Sequence, residues 1–170
     1  MRIFLPVAVA LFVSACSVSI PEGITPVSSF KLDAYLGTWY EIARLDHSFE
    51  RGLEKVSAGY SLREDGGVRV LNRGFDTEKN AWNEAEGKGY FVGAAATGHL
   101  KVSFFGPFYG SYVIFELDPN YQYAFIAGDT KDYLWFLSRT PTVSPPLRER
   151  FIAQAKSLGF DTDALIWVKQ

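Results

Sequence analysis

The chain has 170 residues, 48% hydrophobic and 21% charged, an ordinary globular composition that excludes a disordered or collagen-like polymer and suits one domain. Lys and Arg number 17 against 19 Asp and Glu, for a net charge of -2 with no basic cluster, which argues against a nucleic-acid partner. One cysteine excludes an internal disulfide framework and a multi-cysteine zinc site, while an aromatic share of 16% suggests that the protein buries something besides its own core.

Arg2 is followed by an apolar run over 3–13, too short for a helix crossing a hydrocarbon core of about 30 Å but the length of a secretory signal. It leads into Val13-Ser14-Ala15-Cys16, which resembles the lipobox of bacterial lipoproteins. That resemblance implies a signal peptide over 1–15 and a lipidated Cys16, and Ser17 in place of Asp implies sorting to the outer membrane. Residues 16–29 carry Pro21, Gly23 and Pro26 without helical or strand period and read as a tether ahead of a barrel domain over 30–170.

From there the hydrophobic period is two. A helical turn over 32–36 precedes a strand over 39–46. In the next, Val56, Ala58, Tyr60 and Leu62 alternate with polar or small residues, and Asp65-Gly66-Gly67 turns the chain into a third strand beginning at Val68. Further strands are expected over 82–92, 100–105, 111–117, 121–127 and 133–139, with Gly106 to Gly110 as a turn. Eight strands joined mostly by short turns predict an all-β antiparallel up-and-down barrel, with a two-sheet sandwich as the competing topology. One C-terminal helix is expected outside it: Ser144 caps, Pro145 fits the first turn, Gly159 stops it, and Leu147, Phe151, Ile152, Ala155 and Leu158 share a face. Residues 165–168 read as a short strand returning to the chain start.

Gly37-Thr38-Trp39 on the first strand and Arg139-Thr140-Pro141 ending the eighth, with a helix directly after, resemble the signature of lipocalins. The resemblance implies that Trp39 closes the narrow end of the barrel with Arg139 across its indole. Leu117-Asp118-Pro119-Asn120-Tyr121 departs from the family's second motif in spacing. The segments 35–44, 49–56, 100–110 and 132–141 are similar to the bacterial lipocalin subgroup, whose members are lipoproteins. This implies an outer-membrane-anchored, periplasm-facing carrier of fatty acids, phospholipids or lysophospholipids that serves envelope maintenance.

An eight-stranded barrel is filled by its side chains or holds one small ligand. The inward candidates are Tyr60, Val70, Tyr90, Val102, Phe104, Tyr109, Tyr112 and Trp135, with Tyr109 and Trp135 foremost by the subgroup resemblance; each also reads as a ring or branch that fills the interior. No cofactor or metal is expected: His47 and His99 stand at strand ends without ligand spacing and read as solvated loop residues. Glu84 and Glu86 share a strand face, conceivable as an acid–base pair but more simply a solvated one, so a lipid-modifying enzyme is the alternative to a binding protein. The aromatic stretch 104–112 raises a third possibility, a surface that pairs two copies or dips into a membrane.

Overall fold

The computed structural model describes residues 18–170, so the signal over 1–15 and Cys16 lie outside the described residues. A four-residue helix α1 (Leu32–Tyr35) leads into β1 (Gly37–Arg44), β2 (Leu53–Leu62), β3 (Val68–Asp76), β4 (Ala81–Phe91), β5 (His99–Phe105), β6 (Phe108–Leu117), β7 (Tyr123–Ala127) and β8 (Leu134–Ser138). Helix α2 (Pro145–Ser157) and a two-residue β9 (Ile166–Trp167) follow. Each of the eight strands pairs antiparallel with the next, and β1 pairs with both β2 (Gly37 opposite Tyr60) and β8 (Tyr40 opposite Ser138). That double pairing closes the cylinder and removes the sandwich alternative. β9 pairs with β1, Ala43 opposite Trp167, the return expected of 165–168.

The turn after β5 is tighter than the glycines suggested: β6 already begins at Phe108, leaving only Gly106 and Pro107 between the strands. β7 begins later than expected because the Asp118 carboxylate accepts the backbone N–H groups of Asn120 and Gln122 (2.9 and 3.2 Å), holding 118–122 as a turn.

Two apolar layers share the wall. Inside, Phe30, Tyr35, Trp39, Tyr60, Val68, Val70, Leu100, Ile114, Ile126 and Leu137 fill the end near α1. Outside, Ala43, Val113, Phe115, Phe125, Phe136, Phe151 and Phe160 form a second core under α2, whose Phe151 packs on Phe125 and Phe136 at centroid distances of 4.8 and 4.9 Å. This outer layer accounts for much of the aromatic share, so ring content by itself was a poor sign of a bound molecule.

The narrow end is closed by Trp39, fully buried, whose indole N–H donates to the Tyr35 carbonyl at 2.7 Å. The Arg139 guanidinium lies 4.0 Å from the ring centroid and donates to the carbonyls of Ala34, Tyr35, Leu36, Thr38 and Tyr121. A planar fork with five N–H donors is suited to this, because it satisfies the orphan carbonyls of the short helix while stacking on the indole. Gly37, at φ 98°, makes the turn between α1 and β1 and leaves room for that guanidinium, 3.3 Å from where a Cβ would sit.

Residues 18–29, expected as a tether, lie along the outer wall instead. Ser19 Oγ donates to the Asp129 carbonyl in the β7–β8 turn (3.3 Å), and Ile24 is buried in the outer core. Val27 N–H donates to the Ile114 carbonyl and the Val27 carbonyl accepts from Gly98 N–H, both at 2.9 Å. Backbone groups that find such partners, together with a buried isoleucine, fix a segment whose composition alone reads as free chain.

Candidate functional site

The loops divide into two ends. The β1–β2, β3–β4, β5–β6 and β7–β8 connections stand at the end away from Trp39, and this end is the mouth. Inward positions follow from the register. On β3 and β4 the facing pairs are Val68 with Gly89, Val70 with Gly87, Asn72 with Ala85 and Gly74 with Asn83.

In the narrow half the interior is filled. An enclosed apolar cavity of about 10 Å³, room for a single water, remains among Tyr35, Tyr60, Val70, Leu100, Val102 and Tyr112. The hydroxyl of Tyr112 bonds those of Tyr35 (2.7 Å) and Tyr60 (2.9 Å), and burial pushes all three phenols above their ordinary range, so they act as a neutral hydrogen-bonded floor.

Toward the mouth the interior opens. Asn83, Ala85 and Gly110 face inward yet are exposed, and a Cβ at Gly110 would meet nothing within 4 Å. The Phe104 ring lies over Gly87, 2.9 Å from where its Cβ would be. Small residues on one wall thus leave a funnel above the tyrosine floor.

The opposite wall carries charge. Arg44, 2% exposed, donates from Nη1 to Glu41 Oε1 (2.8 Å) and from Nη2 to the carbonyls of Glu50 (2.7 Å) and Leu53 (3.5 Å). Glu50 Oε2 accepts the indole N–H of Trp135 (3.1 Å) and lies 2.9 Å from His47 Nε2. The β1–β2 loop is therefore pinned to the wall at both of its ends, with His47 packed on Trp135 at 5.3 Å between centroids.

The two carboxyls of this cluster shift in opposite directions. Burial and the charge of Glu50 hold Glu41 well above its ordinary value in spite of Arg44. Burial also pushes Glu50 up, but His47, the Trp135 hydrogen bond and the Arg44 charge outweigh it and hold Glu50 below its ordinary value. The stability that Glu50 contributes is present above its unfolded pKa and lost as pH falls through the folded one. What Glu41 contributes is present at low pH and lost as pH rises through its raised value. Glu50→Gln is thus expected to lower the urea midpoint at neutral pH and flatten its acid decline, while Glu41→Gln removes the part of the midpoint's decline that comes with rising pH. An unchanged pH dependence in either variant would contradict this assignment.

Of the sequence candidates, Tyr60, Val70, Val102 and Tyr112 surround the enclosed cavity, Phe104 stands at the mouth, and Trp135 lies on the charged wall. Tyr90 and Tyr109 do not face the interior. Tyr90 follows inward Gly89, so it points out, donating its hydroxyl to Asp65 at 2.8 Å. Tyr109 precedes inward Gly110 and points out as well, its ring 6.4 Å from that of Tyr90 and under Lys101 at 5.1 Å. His47 and His99 are buried rather than solvated; His99 bonds Ser111 (3.2 Å) on the outer wall, and burial lowers its pKa. Glu84 and Glu86 are exposed on the outer face, paired with Arg73 (3.2 Å) and Arg69 (2.7 Å), and do not face the funnel.

Arg44 escapes the sequence reading because strict alternation from Trp39 puts it outside. A bulge between Glu41 and Ala43 reverses the parity and turns Arg44 inward.

Residues 30–170 match the lipocalin-like domain family. The chain is 58% identical to the outer membrane lipoprotein Blc of Vibrio cholerae over 95% of this chain and 98% of that one. It is 52% identical to the protein of the same name from Escherichia coli K12 over 96% and 92%. Insecticyanin from the tobacco hornworm Manduca sexta superposes with a TM-score of 0.70 at 18% identity, covering 91% of this chain and 88% of that one, a likeness of fold.

Proposed function

This chain belongs to the lipocalin family, and from that premise we propose that its funnel takes the acyl tail of one fatty acid, phospholipid or lysophospholipid. It is an outer-membrane lipoprotein, as the two Blc relatives matched over nearly their whole length are. The observation that carries the reading is the set of inward yet exposed small residues, Asn83, Ala85 and Gly110, below the mouth. Burying a tail of about 16 carbons releases roughly 12 kcal/mol, against a cost of about 4–15 kcal/mol for association and ordering, which places affinity in a useful range for a carrier. The tyrosine floor stops the tail, and a charged head stays at the mouth in water, since burying it unpaired is far costlier. The work is binding rather than catalysis: storage or transfer of lipid in envelope maintenance. Cleavage of 1–15 and lipidation of Cys16 belong to the same reading.

Native mass spectrometry of the lipoprotein is expected to show one lipid per barrel, and titration with palmitate or a single-chain lysophospholipid to change Trp135 emission. Ala85→Phe fills the funnel where the parent residue is exposed. It is expected to weaken binding about tenfold or more, roughly 1.4 kcal/mol, with the unfolding midpoint unchanged. Undiminished binding in that variant, or no lipid in the parent, would overturn the proposal in favour of a filled barrel that acts through its surface.

A further inference from the structure

On β3 the register turns Asn72 inward, between Val70 and Gly74, with Ala58 on β2 and Ala85 on β4 as its cross-strand neighbours. Both neighbours present only a methyl group, so neither can answer an amide. Elsewhere inside the barrel the polar groups pair with one another: the tyrosine hydroxyls of the floor, Arg44 with Glu41, and Trp135 with Glu50. Asn83, the other inward amide of β3 and β4, reaches Asp76 at 3.5 Å. Among the described residues the Asn72 side chain makes no hydrogen bond to protein, and it is half-buried rather than sealed. Since it faces inward, its exposed part opens into the funnel beside Ala85.

A carboxamide carries two N–H donors and a carbonyl acceptor, and solvent satisfies such a group until a ligand covers it. A plain acyl tail lying against Asn72 displaces that solvent and offers no partner, which leaves the amide with unmade hydrogen bonds in apolar surroundings. A hydroxyl on the tail at the same level restores one, as donor to the amide oxygen or as acceptor from its N–H. The depth of that level follows from the strand. Val70 lines the small cavity at the tyrosine floor. Asn72 stands one inward step nearer the mouth, about 6.6 Å along the strand or about 5 Å along the barrel axis. A tail whose methyl end rests on the floor therefore brings roughly its fourth to seventh carbons, counted from that end, beside the amide.

We infer that Asn72 is a specificity-determining residue of the funnel, and that it selects acyl chains carrying a hydroxyl in their methyl-end half over plain chains of the same length. The inference rests on the carrier reading and adds to it a ligand class. One placed amide on a wall of methyl groups and glycines is enough for such sorting, because a ligand that lacks the matching group pays for the unpaired one.

The experiment measures displacement of a fluorescent fatty acid from the full lipoprotein by three acids of equal length: stearate, stearate hydroxylated at its twelfth carbon, and stearate hydroxylated at its second. The ratio of affinities for hydroxylated and plain acid is compared between the parent and Asn72→Leu, which keeps the volume and removes the amide, so the different solubilities of the acids cancel. The twelfth-carbon hydroxyl is expected to gain about tenfold in the parent relative to Asn72→Leu, and the second-carbon hydroxyl, which stays at the mouth, less than about twofold. Asn72→Ser, which still offers a hydrogen bond, is expected to retain part of the preference. The urea midpoint of Asn72→Leu is expected to equal or exceed that of the parent, since no bond within the protein is lost. A clear fall in that midpoint would assign the amide to the fold and overturn the inference. The same affinity ratio in the parent and Asn72→Leu would overturn it and leave the carrier reading standing, and an equal gain from the second-carbon hydroxyl would overturn the depth and the selection that rests on it. A parent that binds none of the three acids would overturn both the carrier reading and the inference.

Discussion

Replacing Arg44 by alanine is expected to lower stability by about 3–5 kcal/mol, the cost of leaving buried charge without its partner. The guanidinium answers the Glu41 carboxyl and the carbonyls of Glu50 and Leu53. For a domain of this size the melting temperature falls by roughly 2–4 °C per kcal/mol, so a loss of about 6–20 °C is expected in a thermal scan. The double variant Arg44→Met with Glu41→Gln is expected to recover much of this, because it removes both charges and keeps the volume. A single variant within about 1 kcal/mol of the parent would mean that the cluster is solvated in solution. The loss is also expected to raise hydrogen exchange at 45–52, since Arg44 holds both ends of that loop.

Trp39→Ala is expected to cost a similar amount, about 3–5 kcal/mol, for a different reason. The indole is fully buried among Tyr35, Tyr60 and Leu137, and its removal leaves a void at the closed end. It also takes away the surface on which Arg139 stacks and the N–H that satisfies the Tyr35 carbonyl. In a double-mutant cycle Trp39→Phe with Arg139→Met is expected to show a coupling of about 0.5–2 kcal/mol, measured by urea unfolding. Arg139→Lys tests the fork itself: a single ammonium retains the charge but cannot reach five carbonyls, so it should behave like the methionine variant. Additive single effects would mean that the stack is geometric only.

Much of the barrel was readable because its strands bury one face at a time. Val56, Ala58 and Tyr60 on β2, and Leu100, Val102 and Phe104 near β5, alternate cleanly and gave the strand count and the inward candidates on them. Closure was legible through Gly37, Trp39 and Arg139, since the narrow end needs a large ring, a positive φ and a fork of donors at fixed places. The funnel was harder. On β4 below Phe91 the inward residues are Asn83, Ala85, Gly87 and Gly89, whereas the larger side chains Trp82 and Tyr90 point outward, so over this stretch the assumption that large apolar residues face in selects the wrong face. An empty binding wall is built from what is small, and small residues carry little signal.

The sequence alone determined that the chain is a β-meander followed by one helix with an apolar face, because hydrophobic period and turn chemistry are local properties; the Ser144 side chain, read as its cap, makes no capping hydrogen bond. It also carried the motif that ties the first strand to the eighth. Tertiary structure decided the parity of Arg44, since one extra residue in a bulge exchanges inside for outside along the rest of a strand. It decided too that residues 18–29 bind the outer wall. Those arrangements depend on residues far apart in the chain meeting across the closed sheet, which no local pattern records.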